Sequence, residues 1–393
     1  MAKHVRPKKK ADPAAVLGAL LLGICVLTLS ALAVLLLLRL PAEEEAPAPA
    51  VTAEPKGDVR GFVDLLARVE DCAGEELDAA VRDLRYTRPI YTVPEDALTG
   101  PSFDRTRYVH TQDPAVIREI VDAASVLLDG QELCWTPDTP LMPGSEMVCY
   151  CDDTILVICW KEVVNDCCLS FCEVKIAHGS QLRRALAGGS YHYGAGPRIV
   201  ETQFADSVNA VVSINGDFYD YRTEGITVYQ RRIYRNNPRP IDSCFFTASG
   251  DMLFARRGEL SGEGEAERFV EDNDVVFGLA FGPILVENGE ATHTDYYPIG
   301  EAFGHYSRAA IGQFDSLHYL LMTCGFGDWY GNVPDINQTA RYIQGKGVDR
   351  AYALDGGGTA EIVVDGRSYN YVDFDVERPV SDILYFVTAL PET

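Results

Sequence analysis

The pattern of apolar positions divides the chain into three regions. Residues 14–40 are apolar except at three positions, and a helix of this length, about 40 Å, would cross a bilayer core of about 30 Å. Residues 58–84 and 114–128 place apolar side chains at the spacing of amphipathic helices. Asp113-Pro114 predicts the start of the second helix, with Asp113 as its N-cap. From residue 147 onwards, short apolar runs alternate with polar positions and turn residues, as is typical of β-strands. The pattern therefore predicts an apolar helix, a helical segment and a strand-rich domain.

Turn residues delimit the predicted strands. Residues 147–176 contain three apolar runs separated by Asp-Asp and Asn-Asp turns, which predicts an antiparallel meander. Residues 288–289 (Asn-Gly) and 315–316 (Asp-Ser) are predicted hairpin turns. One helix is predicted at about residues 334–344, followed by a strand. Many short strands with few helices indicate an α+β fold, a β-rich domain with a mixed sheet.

The N-terminal region carries an orientation signal. Five Lys or Arg residues precede the apolar run and three Glu residues follow it, so the positive-inside rule predicts a single-pass cell-membrane protein with its C-terminal domain outside. A cleaved signal peptide is the alternative, but the apolar run exceeds the roughly 7–15 residues usual there. The predicted organisation is a cytoplasmic basic tail at 1–13, a transmembrane helix at 14–40, a linker rich in Pro, Ala and Glu at 41–57, a helical extension at 58–135 and a main domain at 145–393.

The net charge limits the partners that the chain can have. It is −24 at pH 7, and sequence-independent binding of nucleic acid requires a surplus of Lys and Arg. No nucleic-acid partner is therefore expected. An anionic substrate would be repelled at long range and would need local cationic groups in its site.

Six of the eleven cysteines lie between residues 149 and 172. In an extracytoplasmic domain they are able to form disulfides, and the pattern leaves three interpretations open: disulfides, buried free thiols or a zinc site. Zinc is disfavoured because the cysteines lack the usual ligand spacing and no histidine lies among them.

Four segments place glycine and a polar residue at the end of a predicted strand. They are residues 213–219, 281–289, 305–312 and 351–360. In the last, Asp355 ends a buried strand and precedes three glycines, which permit positive φ angles or the close approach of a ligand to the backbone. A carboxylate beside bare N–H groups is a common site for a polar or phosphorylated ligand. Taken alone, the segment is explained equally well by a tight turn.

In order and spacing, the four segments resemble the phosphodiester glycosidase family, which includes an enzyme that removes N-acetylglucosamine from mannose 6-phosphate groups. That family has an Asn-Gly-Gly-Phe-Phe-like strand end, a Gly-Pro hairpin, an Arg-Thr-x-Ile-Gly strand and a Leu-Asp-Gly-Gly-Gly-Ser segment. The core motifs span residues 208–364 of this chain. Residues 173–198 also resemble membrane-anchored bacterial members with exopolysaccharide or cell-envelope roles.

The chain departs from the family pattern at four positions. Asp217 stands where the family has Gly, Tyr219 where it has Phe, and Ala309 where it has Thr or Ser. Thr359 replaces Ser and keeps the hydroxyl group. The change at Asp217 brings a second carboxylate towards the expected site and weakens any transfer of exact specificity.

The resemblance implies that residues 145–393 form a membrane-anchored, extracytoplasmic hydrolase that cleaves sugar-1-phosphodiester linkages of surface glycans or cell-wall polymers. Such cleavage passes through an oxocarbenium-like transition state, which carboxylates assist, and guanidinium binds phosphate bidentately. The expected catalytic residues are Asp355 as nucleophile or general base, Arg308 for the phosphate, and Asp217 or Glu361 as the second carboxylate. The expected substrate-binding residues are Asn215, Gly216, Gly356, Gly357, Gly358, Thr359 and His305.

Each assignment has an alternative. Arg308 is equally suited to a structural salt bridge, His305 to a surface strand position and Glu361 to an outward-facing one. Asp217 and Asp355 together could hold a divalent cation instead, although no metal or other cofactor is expected. The alternative function is a non-catalytic glycan-binding or exopolysaccharide assembly protein on the same fold.

Overall fold

The computed structural model describes residues 91–325 and 332–391, which belong to one compact unit, Arg88–Thr393. The expected basic tail, transmembrane helix, linker and first part of the helical extension lie outside the described residues. Among the described residues, the helices are all too short or too polar to span a bilayer.

The described chain is dominated by strands. In chain order they are β1 (Tyr91–Thr92), β2 (Val109–Thr111), β3 (Met147–Cys151), β4 (Ile155–Val164), β5 (Cys167–Ile176), β6 (Leu182–Leu186), β7 (Val212–Asn215), β8 (Gly225–Tyr229), β9 (Arg232–Asn237), β10 (Ser243–Thr247), β11 (Met252–Ala255), β12 (Val275–Leu279), β13 (Ile284–Glu287), β14 (Glu290–Ala291), β15 (Arg308–Asp315), β16 (His318–Gly325), β17 (Arg350–Leu354), β18 (Ile362–Val364), β19 (Arg367–Ser368), β20 (Asp382–Phe386) and β21 (Leu390–Pro391).

Helices are few and short. The α-helices are α1 (Pro114–Ala123), α2 (Ser125–Leu128), α3 (Glu201–Ser207), α4 (Glu265–Asp272) and α5 (Ile336–Gln344). Single 3₁₀ turns occur at Arg105–Arg107, Gly179–Gln181, Ala187–Gly189, Tyr219–Tyr221, Gly300–Phe303, Gly357–Thr359 and Asp373–Asp375. The expectation of a β-rich α+β domain is confirmed.

The strands form three larger sheets and a two-stranded ribbon. A nine-stranded sheet has the order β14-β13-β17-β15-β16-β5-β4-β3-β2. Two five-stranded sheets have the orders β11-β10-β12-β8-β9 and β19-β18-β7-β20-β6, and β1 pairs with β21 in the ribbon. The strand pairs of the described residues are antiparallel, as in the meander β3-β4-β5, so the expectation of a mixed sheet was wrong.

The nine-stranded sheet has an apolar core on each face. On one face Val157 belongs to a cluster with Phe246 and Leu384 of the two five-stranded sheets. On the other face α1 and α5 cover the sheet through Ile117 and Ile343. Each such buried side chain contributes about 1.5–3 kcal/mol relative to an exposed one. Because both faces are filled, the space for a ligand is expected beyond the strand ends.

Several local expectations are confirmed. The Asp113 side chain caps α1 by accepting a hydrogen bond from the Ala115 N–H. Asp335 caps α5, which stops before Gly345. The two expected hairpins are β13–β14 and β15–β16. Helices α3 and α4 were not expected, because at seven and eight residues they offer too short a pattern for recognition.

The expected helical extension is described only from residue 91. Its described part contains α1 and α2 but also β2, which pairs with β3 at the edge of the nine-stranded sheet. The six clustered cysteines lie on β3, β4 and β5 as free thiols, with Cys159 opposite Cys172.

Candidate active site

Strand pairing brings two of the expected catalytic residues together at the ends of two neighbouring strands in the nine-stranded sheet. β15 and β17 are antiparallel neighbours, and Ala309 is paired with Leu354. The end of β17 therefore lies beside the start of β15, where Asp355 and Arg308 stand. Both side chains line a cavity of about 670 Å³, a volume within the roughly 300–1,000 Å³ usual for small-molecule sites.

The lining of this cavity, called the cleft below, combines cations with carboxylates and aromatic rings. Its charged residues are Arg198, Arg222, Arg308, Arg378, Asp355 and Asp373, and its aromatic residues are Phe218, Tyr221, Phe281, Tyr306, Phe374 and His305. Four guanidinium groups in a chain with a net charge of −24 supply the local cationic groups that an anionic ligand requires.

Asp355 is partly buried at the wall of the cleft. Burial raises the pKa of its carboxyl group to about 6. Four groups oppose this rise by favouring the ionised form: the hydroxyl of Thr359, 2.8 Å from Asp355 Oδ2, the guanidinium groups of Arg222 and Arg378, and the backbone N–H of Gly356. A carboxyl group with a pKa near neutrality is suited to proton transfer.

The glycines after Asp355 are required for close packing and turn geometry. A Cβ at Gly356 would lie 2.5 Å from the Ser307 carbonyl oxygen, and Gly357 has a φ of +69°. The Gly357 N–H donates to the Ser307 carbonyl at 2.8 Å, so this N–H already has a protein partner. Gly356, Gly357 and Gly358 all line the cleft.

Arg308 is tied to the protein backbone. It is 7% exposed, and its guanidinium donates to the carbonyl oxygens of Pro334, at 3.3 Å, and Gly304. Burial lowers the pKa of this guanidinium. A contact between Arg308 and a substrate phosphate, as expected from the sequence, would therefore compete with the hydrogen bonds that hold the loops of Pro334 and Gly304 at the cleft.

Asp217 lies outside the cleft, in a buried ion network. Its carboxylate accepts hydrogen bonds from the Arg184 guanidinium at 2.7 Å and from the Ala280 N–H at 2.7 Å. Arg184 also pairs with Asp382 at 2.8 Å. The side chains of Arg184 and Asp217 are fully buried. A Cβ at Gly216 would meet the Asp382 carboxylate at 2.0 Å, which explains the glycine before Asp217.

Glu361 also lies outside the cleft. It is 1% exposed, and burial, with the nearby Glu377 carboxylate, raises its pKa to about 7. Its neighbour Glu201 is equally buried, and burial followed by the charge of Glu361 raises the Glu201 pKa well above its ordinary value. One carboxyl oxygen of each has no hydrogen-bond partner among the described residues.

Of the remaining expected residues, Asn215 and Thr359 are buried behind the lining of the cleft, and His305 lines it. Asn215 is buried and joins two strand ends, since its side-chain amide donates to the Asp355 carbonyl at 2.7 Å and accepts from the Glu361 N–H at 3.2 Å. Thr359 is buried behind Asp355. His305 is exposed at the rim.

Several cleft residues were not expected from the sequence. Arg222, Arg378 and Asp373 lie in loops after β7 and β19, where no periodic pattern marks them. Phe218 and Phe374 also line the cleft, and both have left-handed backbones, with φ of 57° and 64°. Such conformations are costly for bulky residues and occur preferentially at functional sites.

The cleft thus combines a partly buried carboxyl group with arginines at adjoining strand ends of a β-rich domain. Residues 208–387 match the sequence model of the family described as phosphodiester glycosidase. These residues therefore form a phosphodiester glycosidase domain, and the resemblance inferred from the four motifs is confirmed.

Three solved structures are similar at low identity. One is the zebrafish N-acetylglucosamine-1-phosphodiester alpha-N-acetylglucosaminidase catalytic domain auto-inhibited by its pro-peptide, at 16% identity over 59% of this chain and 82% of that one, with a TM-score of 0.48. A hypothetical protein from Synechocystis has 14% identity over 63% and 64%, with a TM-score of 0.46. A putative exported protein from Burkholderia pseudomallei has 14% identity over 56% and 74%, with a TM-score of 0.38. No curated protein matches the chain.

Proposed function

We propose that the cleft hydrolyses sugar-1-phosphodiester linkages. The observation that carries the proposal is the position of Asp355, a carboxyl group with a pKa raised to about 6, on the wall of a cavity lined by four arginines. The family match of residues 208–387 supports the same reaction class.

In the proposed reaction Asp355 is the general base. Its carboxylate takes a proton from water while the water oxygen bonds to the anomeric carbon. The bond from that carbon to the phosphate oxygen breaks, and its electron pair goes to the phosphate, which is a good leaving group. The proton then passes from Asp355 to solvent or to the released phosphate monoester, so a free sugar and a phosphate monoester are formed. Arginine charges offset the charge of the phosphate throughout.

The substrate and location belong to the same proposal. The linkages attacked are those of surface glycans or cell-wall polymers, and the domain acts outside the cell membrane. The apolar run at 14–40, with basic residues before it and acidic residues after it, supports this placement. Protease treatment of intact cells that express the chain tests it, because an outside domain is digested and an inside one is protected.

The direct test incubates the full chain with α-linked sugar-1-phosphodiesters that differ in the sugar, and measures free sugar and phosphate monoester. Release of both in equal amounts is expected for at least one substrate. If no diester in the set is cleaved while the protein still binds one of them, the hydrolase proposal fails.

A non-catalytic glycan-binding protein is the second candidate. One observation favours it: Asp217 and Glu361, the two expected partner carboxylates, lie outside the cleft. Under this alternative, the wild-type protein binds a phosphorylated glycan but does not cleave it.

A further inference from the structure

The four arginines of the cleft differ in their existing partners. Arg308 donates to backbone carbonyls, and Arg198 pairs with the buried Asp220 carboxylate at 3.1 Å. Within residues 91–325 and 332–391, Arg222 and Arg378 form no salt bridge, and the buried Nε of Arg222 has no hydrogen-bond partner. Two guanidinium groups therefore keep donors for a ligand.

Both of these arginines lie against aromatic rings of the cleft. The guanidinium carbon of Arg222 is 4.8 Å from the centre of the Phe281 ring. That of Arg378 is 5.7 Å from the centre of the Phe218 ring, which Arg198 also contacts, at 4.7 Å. Cation–π contacts of this kind orient a guanidinium group and leave its N–H edge available. Phe218 has a left-handed backbone, with φ 57° and ψ 44°. The need to hold its ring in this position accounts for that costly conformation.

Both arginines also act on Asp355. They are the two cationic groups that favour the ionised form of its carboxyl group. A phosphate bound to their free edges would lie close to Asp355, and the same two charges would offset the repulsion between phosphate and carboxylate.

We propose that Arg222 and Arg378 form the clamp that binds the substrate phosphate, with Phe281 and Phe218 fixing the two guanidinium groups. Arg308, the residue expected from the sequence, is instead a positioning residue that holds the loops of Gly304 and Pro334. The inference rests on the proposed function for the identity of the ligand, a phosphodiester.

The test measures binding of inorganic phosphate to the full chain by calorimetry at low ionic strength. Arg222→Gln and Arg378→Gln are each expected to weaken binding about tenfold, because a charge-assisted hydrogen-bond pair is lost. Arg308→Lys keeps the charge and is expected to change it less than about twofold. The matched control is Arg232→Gln: this guanidinium lies 5.1 Å from the Tyr234 ring centre, outside the cleft, and its loss is expected to leave binding unchanged.

A second measurement separates a clamp from a merely structural role. Where a cleaved diester is found, Arg222→Gln and Arg378→Gln are expected to shift the acidic limb of the pH–rate profile to higher pH, since each removes a charge that favours ionised Asp355. Arg308→Lys is expected to leave the limb in place.

The outcomes separate the inference from the function on which it rests. Loss of phosphate binding in the Arg308 variant, with binding retained in the Arg222 and Arg378 variants, overturns the clamp. So does a cleaved diester whose turnover the Arg222 and Arg378 variants leave unchanged. Phosphate binding that depends on Arg222 and Arg378, in a protein that cleaves no sugar-1-phosphodiester, supports the clamp and overturns the hydrolase.

Discussion

Asp355 and Asp217 stand at similar points of the chain. Each follows a β-strand end and adjoins glycine, yet one lines the cleft and the other is enclosed. Asp217 has the Arg184 guanidinium and the Ala280 N–H as partners, whereas Asp355 has a neutral hydroxyl and burial raises its pKa to about 6. The surroundings of the two carboxylates thus differ: those of Asp355 suit the proposed catalytic role, and the full set of protein partners around Asp217 suits a structural one.

The largest expected effect tests the reactive side of this comparison. Asp355→Asn keeps the size of the side chain and removes the base, so turnover of a sugar-1-phosphodiester is expected to fall by about 10³-fold. The measurement is initial rate at saturating substrate. The melting temperature serves as the control and is expected to stay close to that of the wild type. An Asn variant with wild-type turnover would remove Asp355 from the mechanism.

The next largest expected effect concerns Asp217, the enclosed carboxylate of the comparison. Asp217→Asn leaves Arg184 buried beside one carboxylate instead of two, and breaking a buried ion pair costs about 3–5 kcal/mol of unfolding free energy. Urea unfolding measures this loss. Asp373→Asn, at a cleft residue, is the matched control and is expected to cost less than about 1 kcal/mol. If Asp217→Asn is as stable as the wild type but inactive, Asp217 is catalytic and the comparison fails.

Glu361 sharpens the comparison because it is as buried as Asp217 but pairs with no cation among the described residues. Its pKa is raised to about 7 from an ordinary 4.5. Between these values the unfolded chain releases a proton that the folded chain keeps, so stability falls as pH rises from about 4.5 to about 7. Glu361→Gln is therefore expected to be more stable than the wild type by about 3 kcal/mol at pH 8.

At pH 4 the wild type and Glu361→Gln are expected to have similar stability, because Glu361 is then mostly protonated in both the folded and the unfolded chain. Chemical denaturation at the two pH values measures the difference. A Gln variant that is less stable at pH 8 would mean that the ionised carboxylate has a partner.

The smallest expected effect concerns the hydroxyl beside Asp355. Thr359→Val removes the 2.8 Å hydrogen bond that favours the carboxylate, so the pKa of Asp355 is expected to rise above about 6. The acidic limb of the pH–rate profile then moves upward, and turnover at pH 6 falls by about tenfold. Thr359→Ser keeps the hydroxyl and is expected to behave as the wild type. Equal profiles for the Val and Ser variants would show that this hydrogen bond has no catalytic effect.

The sequence was informative where the relevant signal is local. The Asp113 cap, the Asn-Gly turn at 288–289 and the strand before Asp355 each depend on a few neighbouring residues, and each was predicted. The resemblance implied that Asp355 and Arg308 share a site, and the pairing of β15 with β17, which was not predicted, makes them neighbours.

The features of the site that the sequence did not predict depend on contacts between segments far apart in the chain. Arg222 and Arg378 are 156 positions apart in the numbering and meet only because β7 and β20 pair in one sheet. No local pattern indicates that Arg184 neutralises Asp217, since this requires β6 to lie beside β20. Motif spacing could therefore identify the site while leaving open which of its carboxylates and arginines face the ligand.

The ribbon of β1 and β21 has a consequence for how this domain can be re-engineered. Tyr91 is paired with Pro391 and Thr92 with Leu390, so the two ends of the described chain are immediate neighbours. A short linker could join them into a closed ring, and new ends could be opened at the exposed 288–289 hairpin, away from the cleft lining. The order of segments along the polypeptide is thus separable from the architecture that holds the site together.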